Sequence, residues 1–107
     1  MAECDGEPCG LLMIVVPAWT DAAEITDLAV GRGQRRRGAG RALVDAAIAF
    51  GRGRALRAIW VEPRSDNASA IEFYLRLGFR ISGFNDRMYS NDDDADGKLT
   101  LLMYLEL

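Results

Sequence analysis

Residues 35–40 read Arg-Arg-Arg-Gly-Ala-Gly, between an apolar strand that ends at residues 28–30 and an apolar helix over residues 41–50. Glycines at the start of a helix let a ligand approach bare backbone N–H groups. The first turn of a helix offers unpaired donors and a partial positive charge, and the arginines add full positive charge beside it. This stretch therefore predicts a binding site for a pyrophosphate group.

Two other kinds of phosphate loop are excluded by neighbouring residues. A Walker loop would begin at Gly33, but Ala39-Gly40 stands where its lysine and hydroxyl residue belong. A dinucleotide fingerprint that began at Gly31 would have Arg36 at the position of its third glycine. The pattern that remains is R-x-x-G-x-G over residues 35–40.

A second motif follows after one predicted helix and one predicted strand. Residues 67–79 read NASAIEFYLRLGF, which has the form N-x-x-A-x-x-F-Y-x-x-x-G-F. In this order and at this distance, the two motifs resemble the signatures of the GNAT N-acetyltransferases, and the resemblance extends from about Ala2 to Leu107. It implies an acyltransferase that uses acetyl-CoA as co-substrate and needs no metal.

The pattern of the whole chain predicts one domain over residues 1–107, with an α/β (α+β) fold and a mixed central sheet in the order β-β-β-α-β-α-β-β. Helices are predicted over about 38–51, ended by Gly51, and over about 68–77, ended by Gly78. By resemblance this is a short GNAT fold, without the strand and helices that begin the family's domain and help to wall the acceptor site. Strands are predicted at about 1–5, 9–19 (buried), 24–30, 57–62, 79–84 (extended by 86–89) and 99–107.

Composition narrows the range of functions. The chain has 107 residues, half of them hydrophobic, a net charge of −3 and no histidine. The acidity argues against a nucleic-acid-binding protein, and no apolar run is long enough to span a membrane. Without histidine, a proton transfer near neutral pH has to use a carboxylate, a tyrosine, a thiol or water. Cys4 and Cys9 form no zinc pattern, which favours free thiols in a cytoplasmic protein.

The resemblance also assigns the coenzyme to particular residues. In the family, the strand before the pyrophosphate loop splays from the next parallel strand, and the pantetheine arm pairs with the exposed backbone. Here Leu28, Ala29 and Val30 would contact that arm. Asn67 would bond the same arm, serve only as the helix cap, or do both. The pyrophosphate would lie among Arg35, Arg36, Arg37, Gly38, Ala39, Gly40 and Arg41.

Acetyl transfer to an amine needs a base, an oxyanion donor and a proton for the leaving thiolate. Tyr74 lies where family members place a tyrosine near the coenzyme sulfur and would be the acid, with a packing aromatic as the alternative. Glu24 resembles the strand glutamate of histone-acetyltransferase-like members and is the first candidate for the base, with Asp27 and Glu62 as alternatives. Strand alternation places Glu24 and Asp27 on opposite faces unless a bulge intervenes. A backbone N–H near Val30 would hold the oxyanion.

The C-terminal part bears on the acceptor. Residues 78–107 and 61–70 are similar to the streptothricin acetyltransferases, with Ser82-Gly83 in place of paired glycines. Ribosomal-protein N-terminal acetyltransferases share both core motifs. The favoured acceptor is therefore the primary amine of a small cationic, antibiotic-like molecule. The alternatives are a protein N-terminal or lysine acetyltransferase with a peptide amine acceptor, an acyl-CoA-binding module without turnover, and an arginine-loop nucleic-acid binder.

Two further expectations concern metals and assembly. Residues 92–97 resemble the start of a calcium loop, but Met103 stands where the closing glutamate would be. No metal site is therefore predicted. An exposed apolar face at the position of the absent family elements would favour pairing, so a homodimer is expected, without nucleic-acid or membrane partners.

Overall fold

The computed structural model describes residues 2–4, 7–31, 38–88 and 99–107. The strand order in the sheet is β1-β2-β3-β4-β6-β5. The predicted α/β class and the order of elements are confirmed. The elements are β1 (Ala2–Cys4), β2 (Glu7–Val15), β3 (Ala22–Val30), α1 (Ala39–Gly53), β4 (Ala58–Val61), α2 (Ala68–Arg76), β5 (Arg80–Asn85) and β6 (Thr100–Glu106).

β2 begins at Glu7 and β3 begins at Ala22, each two residues earlier than predicted, and two strands end elsewhere than predicted. The second strand ends at Val15 rather than Trp19, because Pro17 has no N–H for the ladder and its carbonyl accepts from the Thr20 N–H at 3.4 Å in a turn. Residues 86–88 bend instead of extending β5, and residue 89 lies outside the described part. None of the described helices is long and apolar enough to cross a bilayer.

The chain groups into two compact units, Met1–Ile59 with Leu107, and Trp60–Glu106. The assignment to one domain stays a prediction. In the first unit β1, β2 and β3 form an antiparallel sheet, and α1 packs against these strands. The core of this unit consists of small and branched side chains, namely Ala22, Ala23, Ile25, Ala39, Leu43, Val44, Ala47, Ala58 and Ile59.

Gly51 does not end the first helix, and this part of the prediction is wrong. The helix continues to Gly53, and Gly51 is buried within it. A Cβ atom at Gly51 would meet Leu107 Cδ1 at 2.5 Å and Ile59 Cδ1 at 3.7 Å. The position therefore requires glycine for the close approach of Leu107, not for a left-handed backbone.

The end of α1 is formed instead by Ala55, whose φ of 57° is left-handed. The Ala55 N–H donates to the Arg52 carbonyl at 3.1 Å, and the Leu56 N–H donates to the Gly51 carbonyl at 2.9 Å. This pair of bonds is a Schellman motif, in which glycine usually takes the left-handed position. An alanine there bears a steric cost of about 1–2 kcal/mol.

The second unit contains α2 and the antiparallel pair of β5 and β6. Phe79 and Met103 are buried in it. At the end of α2 the same Schellman motif recurs with Gly78 at the left-handed position, φ 99°. The Phe79 N–H donates to the Tyr74 carbonyl at 3.0 Å, and the Gly78 N–H donates to the Leu75 carbonyl at 3.1 Å. The predicted role of Gly78 as the helix stop is confirmed.

The two helix ends give a matched pair of predictions. Ala55→Gly should raise the free energy of unfolding by about 0.5–1 kcal/mol, because relief of left-handed strain exceeds the added flexibility of the unfolded chain. Gly78→Ala should lower it by about 1 kcal/mol for the opposite reason. Urea unfolding followed by circular dichroism measures both. A loss of stability in Ala55→Gly would contradict the strain assigned to that position.

Candidate functional site

The first turn of α1 begins at Gly38. Its backbone is left-handed, with φ 76° and ψ 13°, and no side chain in the described ranges caps the helix. The Gly38 carbonyl accepts from the Ala42 N–H at 3.0 Å. Among the described residues, a Cβ atom at Gly38 would meet nothing within 4 Å, so none of them fills the space beside it. Glycine is favoured here because of its φ, and its lack of a side chain leaves the helix end accessible.

This helix end is suited to an anion. No acidic residue lies in the first turn, so the N–H groups and the positive end of the helix dipole are not neutralised from within it. Ala39 is buried and anchors the turn, while Arg41 is exposed. The arginines predicted beside this seat, Arg35, Arg36 and Arg37, lie outside the described residues. The described turn alone offers backbone donors to a phosphate group.

The strand that precedes this helix in the sequence, β3, contains a β-bulge. Met13 on β2 lies opposite Asp27, but the next residue, Ile14, lies opposite Ile25. Thr26 is therefore the extra residue, and its Oγ1 donates to the Met13 carbonyl at 3.5 Å. A bulge of this kind reverses the alternation of side chains beyond it.

The bulge settles an alternative that the sequence left open. Before it, Ala23 and Ile25 are buried on the face that α1 covers, while Glu24 is partly exposed. Beyond it Asp27 is exposed and Leu28 is partly buried. Glu24 and Asp27 thus lie on the same face of β3, away from the covered one.

The same face of β2 is apolar. Leu11, Met13 and Val15 lie opposite Ala29, Asp27 and Glu24, and opposed residues in a ladder share a face. Their side chains are 44%, 49% and 46% exposed. The prediction of a buried second strand was therefore wrong for these three residues, because α1 covers one face of the strand only. These six residues are called the open face of β2–β3.

Tyr74 lies on α2 and is buried. Its ring makes edge contacts with the rings of Phe73 and Phe79, each at a centroid distance of 5.2 Å. Burial raises the pKa of the Tyr74 hydroxyl above its usual value, because the phenolate would lose solvation. The hydroxyl therefore keeps its proton throughout the neutral range, as an acid must. The Tyr74 ring also packs against other aromatic rings, as expected if it were only a packing residue. Its catalytic role therefore stays a prediction.

Asn67 is the N-cap of α2. Its Oδ1 accepts from the Ala70 N–H and from Ser69 Oγ, each at 3.2 Å. The cap is thus present, and only the Asn67 Nδ2 group remains to donate to a pantetheine carbonyl. Glu62, one alternative for the base, accepts from Trp60 Nε1 at 3.1 Å and is part-buried. This bond ties Glu62 to the indole.

Each unit contains part of the predicted site. The first holds Glu24, the strand residues Leu28, Ala29 and Val30, and the helix start from Gly38 to Arg41, including Gly40. The second holds Asn67 and Tyr74 on α2. Within the described ranges, no three histidine, cysteine, aspartate or glutamate residues are grouped to hold a metal ion. The sequence reasoning considered an exposed apolar face but missed which residues form it, namely those of the open face of β2–β3.

Comparison with known proteins gives a consistent result. The streptothricin acetyltransferase of Streptomyces lavendulae is 35% identical over 99 residues, which cover 92% of this chain and 52% of that protein. The [ribosomal protein bS18]-alanine N-acetyltransferase of Escherichia coli K12 is 29% identical over 87 residues, covering 81% and 59%. The crystal structure of a nourseothricin acetyltransferase superimposes with a TM-score of 0.83 at 31% identity, covering 95% of this chain and 59% of that one.

The chain thus spans between 52% and 59% of the length of these relatives. The model of the acetyltransferase (GNAT) family matches residues 1–79, a range that contains β1 to α2 and both motifs. Because the match extends over most of the chain and the fold agrees with it, the chain belongs to the acetyltransferase (GNAT) family.

Proposed function

We propose that this protein is an acetyl-CoA-dependent N-acetyltransferase that acts on the primary amine of a small cationic molecule. The observation that carries the proposal is the start of α1, where the described residues leave a left-handed glycine open, supply no side-chain cap and place no acid in the first turn. A diphosphate supplies the negative charge and the acceptor oxygens that such a helix end lacks. In this family the diphosphate belongs to acetyl-CoA.

In the proposed complex the first-turn N–H groups and Arg41 bind the pyrophosphate, and the basic sequence Arg35–Arg37 adds charge. The pantetheine arm pairs with the backbone of Leu28–Val30, as an added strand does. The Asn67 amide donates from Nδ2 to a pantetheine carbonyl.

The chemistry uses three groups of the chain. Glu24 accepts a proton from the acceptor ammonium, directly or through water, and the free amine attacks the thioester carbonyl. A backbone N–H near Val30 donates to the oxyanion that develops. As the carbon–sulfur bond breaks, the Tyr74 hydroxyl donates its proton to the leaving thiolate. The products are the acetylated amine and CoA.

Two observations favour a small cationic acceptor. Relatives with this fold are named for streptothricin and nourseothricin, and both carboxylates of β3 lie on an exposed face. The Escherichia coli relative, named for a ribosomal protein, supports peptide amines as the second candidate. Cytoplasmic location and a homodimer stay predictions.

The function is tested by CoA release from acetyl-CoA in the presence of diamines, aminoglycoside-like amines and peptides with a free N-terminus, followed with a thiol reagent. We expect release with at least one small diamine at a rate well above the hydrolysis of acetyl-CoA. Release with peptides alone would favour the second candidate. Tight binding of acetyl-CoA without release on any amine would indicate a binding module.

Gly38→Asp tests the coenzyme seat. A carboxylate at this position would repel the pyrophosphate and occupy the open space, so the affinity for acetyl-CoA should fall at least about 100-fold, or about 2.8 kcal/mol. Isothermal titration calorimetry measures this. Gly53→Asp, at the exposed opposite end of the same helix, is the matched control and should bind normally. Equal affinity in both variants would show that the diphosphate lies elsewhere.

Tyr74→Phe tests the acid. Because only the proton donor is lost, kcat should fall about 100-fold, while the Kd for acetyl-CoA stays the same. The raised pKa of Tyr74 also predicts that the wild-type kcat does not decline through loss of this proton below about pH 10. Tyr104→Phe, on β6 and stacked on Trp60, is the control for loss of a phenol. Full activity of Tyr74→Phe would remove its catalytic role.

A further inference from the structure

The side-chain amide of Asn67 is held at its oxygen. Its Oδ1 atom accepts from the backbone N–H of Ala70 and from the hydroxyl of Ser69, each at 3.2 Å. An amide oxygen has two lone pairs, so these two donors saturate it. Among the described residues, none accepts a hydrogen bond from Asn67 Nδ2. One end of the amide is therefore fully used within α2, and the other end is a donor.

The two bonds also fix the orientation of the amide. A backbone N–H has to meet an acceptor, and the NH2 group of an asparagine cannot accept. A half-turn of the Asn67 amide would bring Nδ2 against both donors and break both bonds. Without the Ser69 hydroxyl only the bond from Ala70 would oppose that rotation. Ser69 therefore helps to keep Nδ2 directed away from the first turn of α2.

The bond from Ser69 is not needed for the cap itself. An N-cap side chain accepts from one N–H of the first turn, and the bond from Ala70 already does this. Ser69 is exposed, so water would satisfy its hydroxyl almost as well. What the bond adds is a constraint on the Asn67 side chain.

We infer that Ser69 is a positioning residue for the coenzyme and that it acts through Asn67. The inference rests on the proposed function, in which Asn67 Nδ2 donates to a pantetheine carbonyl. A side chain that is already oriented loses less conformational freedom when the ligand binds. Ser69 thus raises the affinity for the pantetheine arm without contacting it.

The test compares CoA with 3′-phospho-ADP, which keeps the diphosphate but lacks the pantetheine arm. Calorimetry should show that Ser69→Ala weakens CoA binding about threefold, the effect of one exposed hydrogen bond, and leaves the affinity for 3′-phospho-ADP unchanged. The KM for acetyl-CoA should rise by the same factor at constant kcat. Ser69→Thr keeps the hydroxyl and should bind CoA normally. Ser82→Ala, which removes an exposed hydroxyl that donates to the Leu102 carbonyl, is the matched control.

Asn67→Asp distinguishes positioning from a purely structural role. A carboxylate at this position still accepts from the first-turn N–H, so the cap is kept, but it has no hydrogen to donate. The affinity for CoA should fall about tenfold. In this background Ser69→Ala should cause no further loss, because no amide remains to be oriented. The two substitutions together form a double-mutant cycle.

The outcomes separate the inference from the proposed function. Equal CoA affinity in the wild type and Ser69→Ala overturns the inference. A loss that persists in the Asn67→Asp background, or that also appears with 3′-phospho-ADP, assigns Ser69 to helix stability and overturns it as well. Each of these results leaves the proposed function in place. Failure of the wild type to bind CoA overturns the proposed function itself.

Discussion

The structure depends most on the backbone conformation at Gly38. A left-handed residue lies directly before α1, and no side chain of the described residues caps the N–H groups of the first turn. Elsewhere a serine, threonine or aspartate at this position would satisfy one of these donors. Here neither a cap nor an acid in the first turn does so. The N–H donors and the partial positive charge of the helix end are therefore available to a bound diphosphate. This connects the local geometry to the proposed binding of acetyl-CoA.

The bulge in β3 is the second determinant. Its extra residue, Thr26, changes which side chains the strand presents, so that Glu24 and Asp27 occupy one face while Leu28 stays on the covered side. The strand thereby separates two functions. Its C-terminal part leads to the proposed coenzyme site, and in the proposed complex its exposed side chains offer carboxylates to the acceptor amine. A coenzyme and an acceptor can then be bound by one strand through different atoms, backbone for the first and side chains for the second.

Local chemistry explains which features the sequence could predict. The order of elements and the glycine stop at Gly78 follow from hydrophobic pattern and turn residues. Gly51 looks like the same signal, but its reason is the close approach of Leu107, a tertiary contact that no local pattern encodes. The left-handed backbone at Ala55 could not be predicted either, because alanine is not a residue type that indicates a left-handed conformation. The bulge at Thr26 depends on how β3 pairs with β2. The sequence alone therefore could not predict that the two β3 carboxylates lie on the same face.

The most direct test of the account observes the amides of Ala39, Gly40 and Arg41 by 15N-resolved NMR during titration with CoA and, separately, with pantetheine, which lacks the diphosphate. The account predicts large shifts of these three amides with CoA, saturating together with binding, and small ones with pantetheine. If CoA binds while these amides do not move, or if pantetheine moves them equally, the diphosphate does not rest on this helix end and the central claim is wrong.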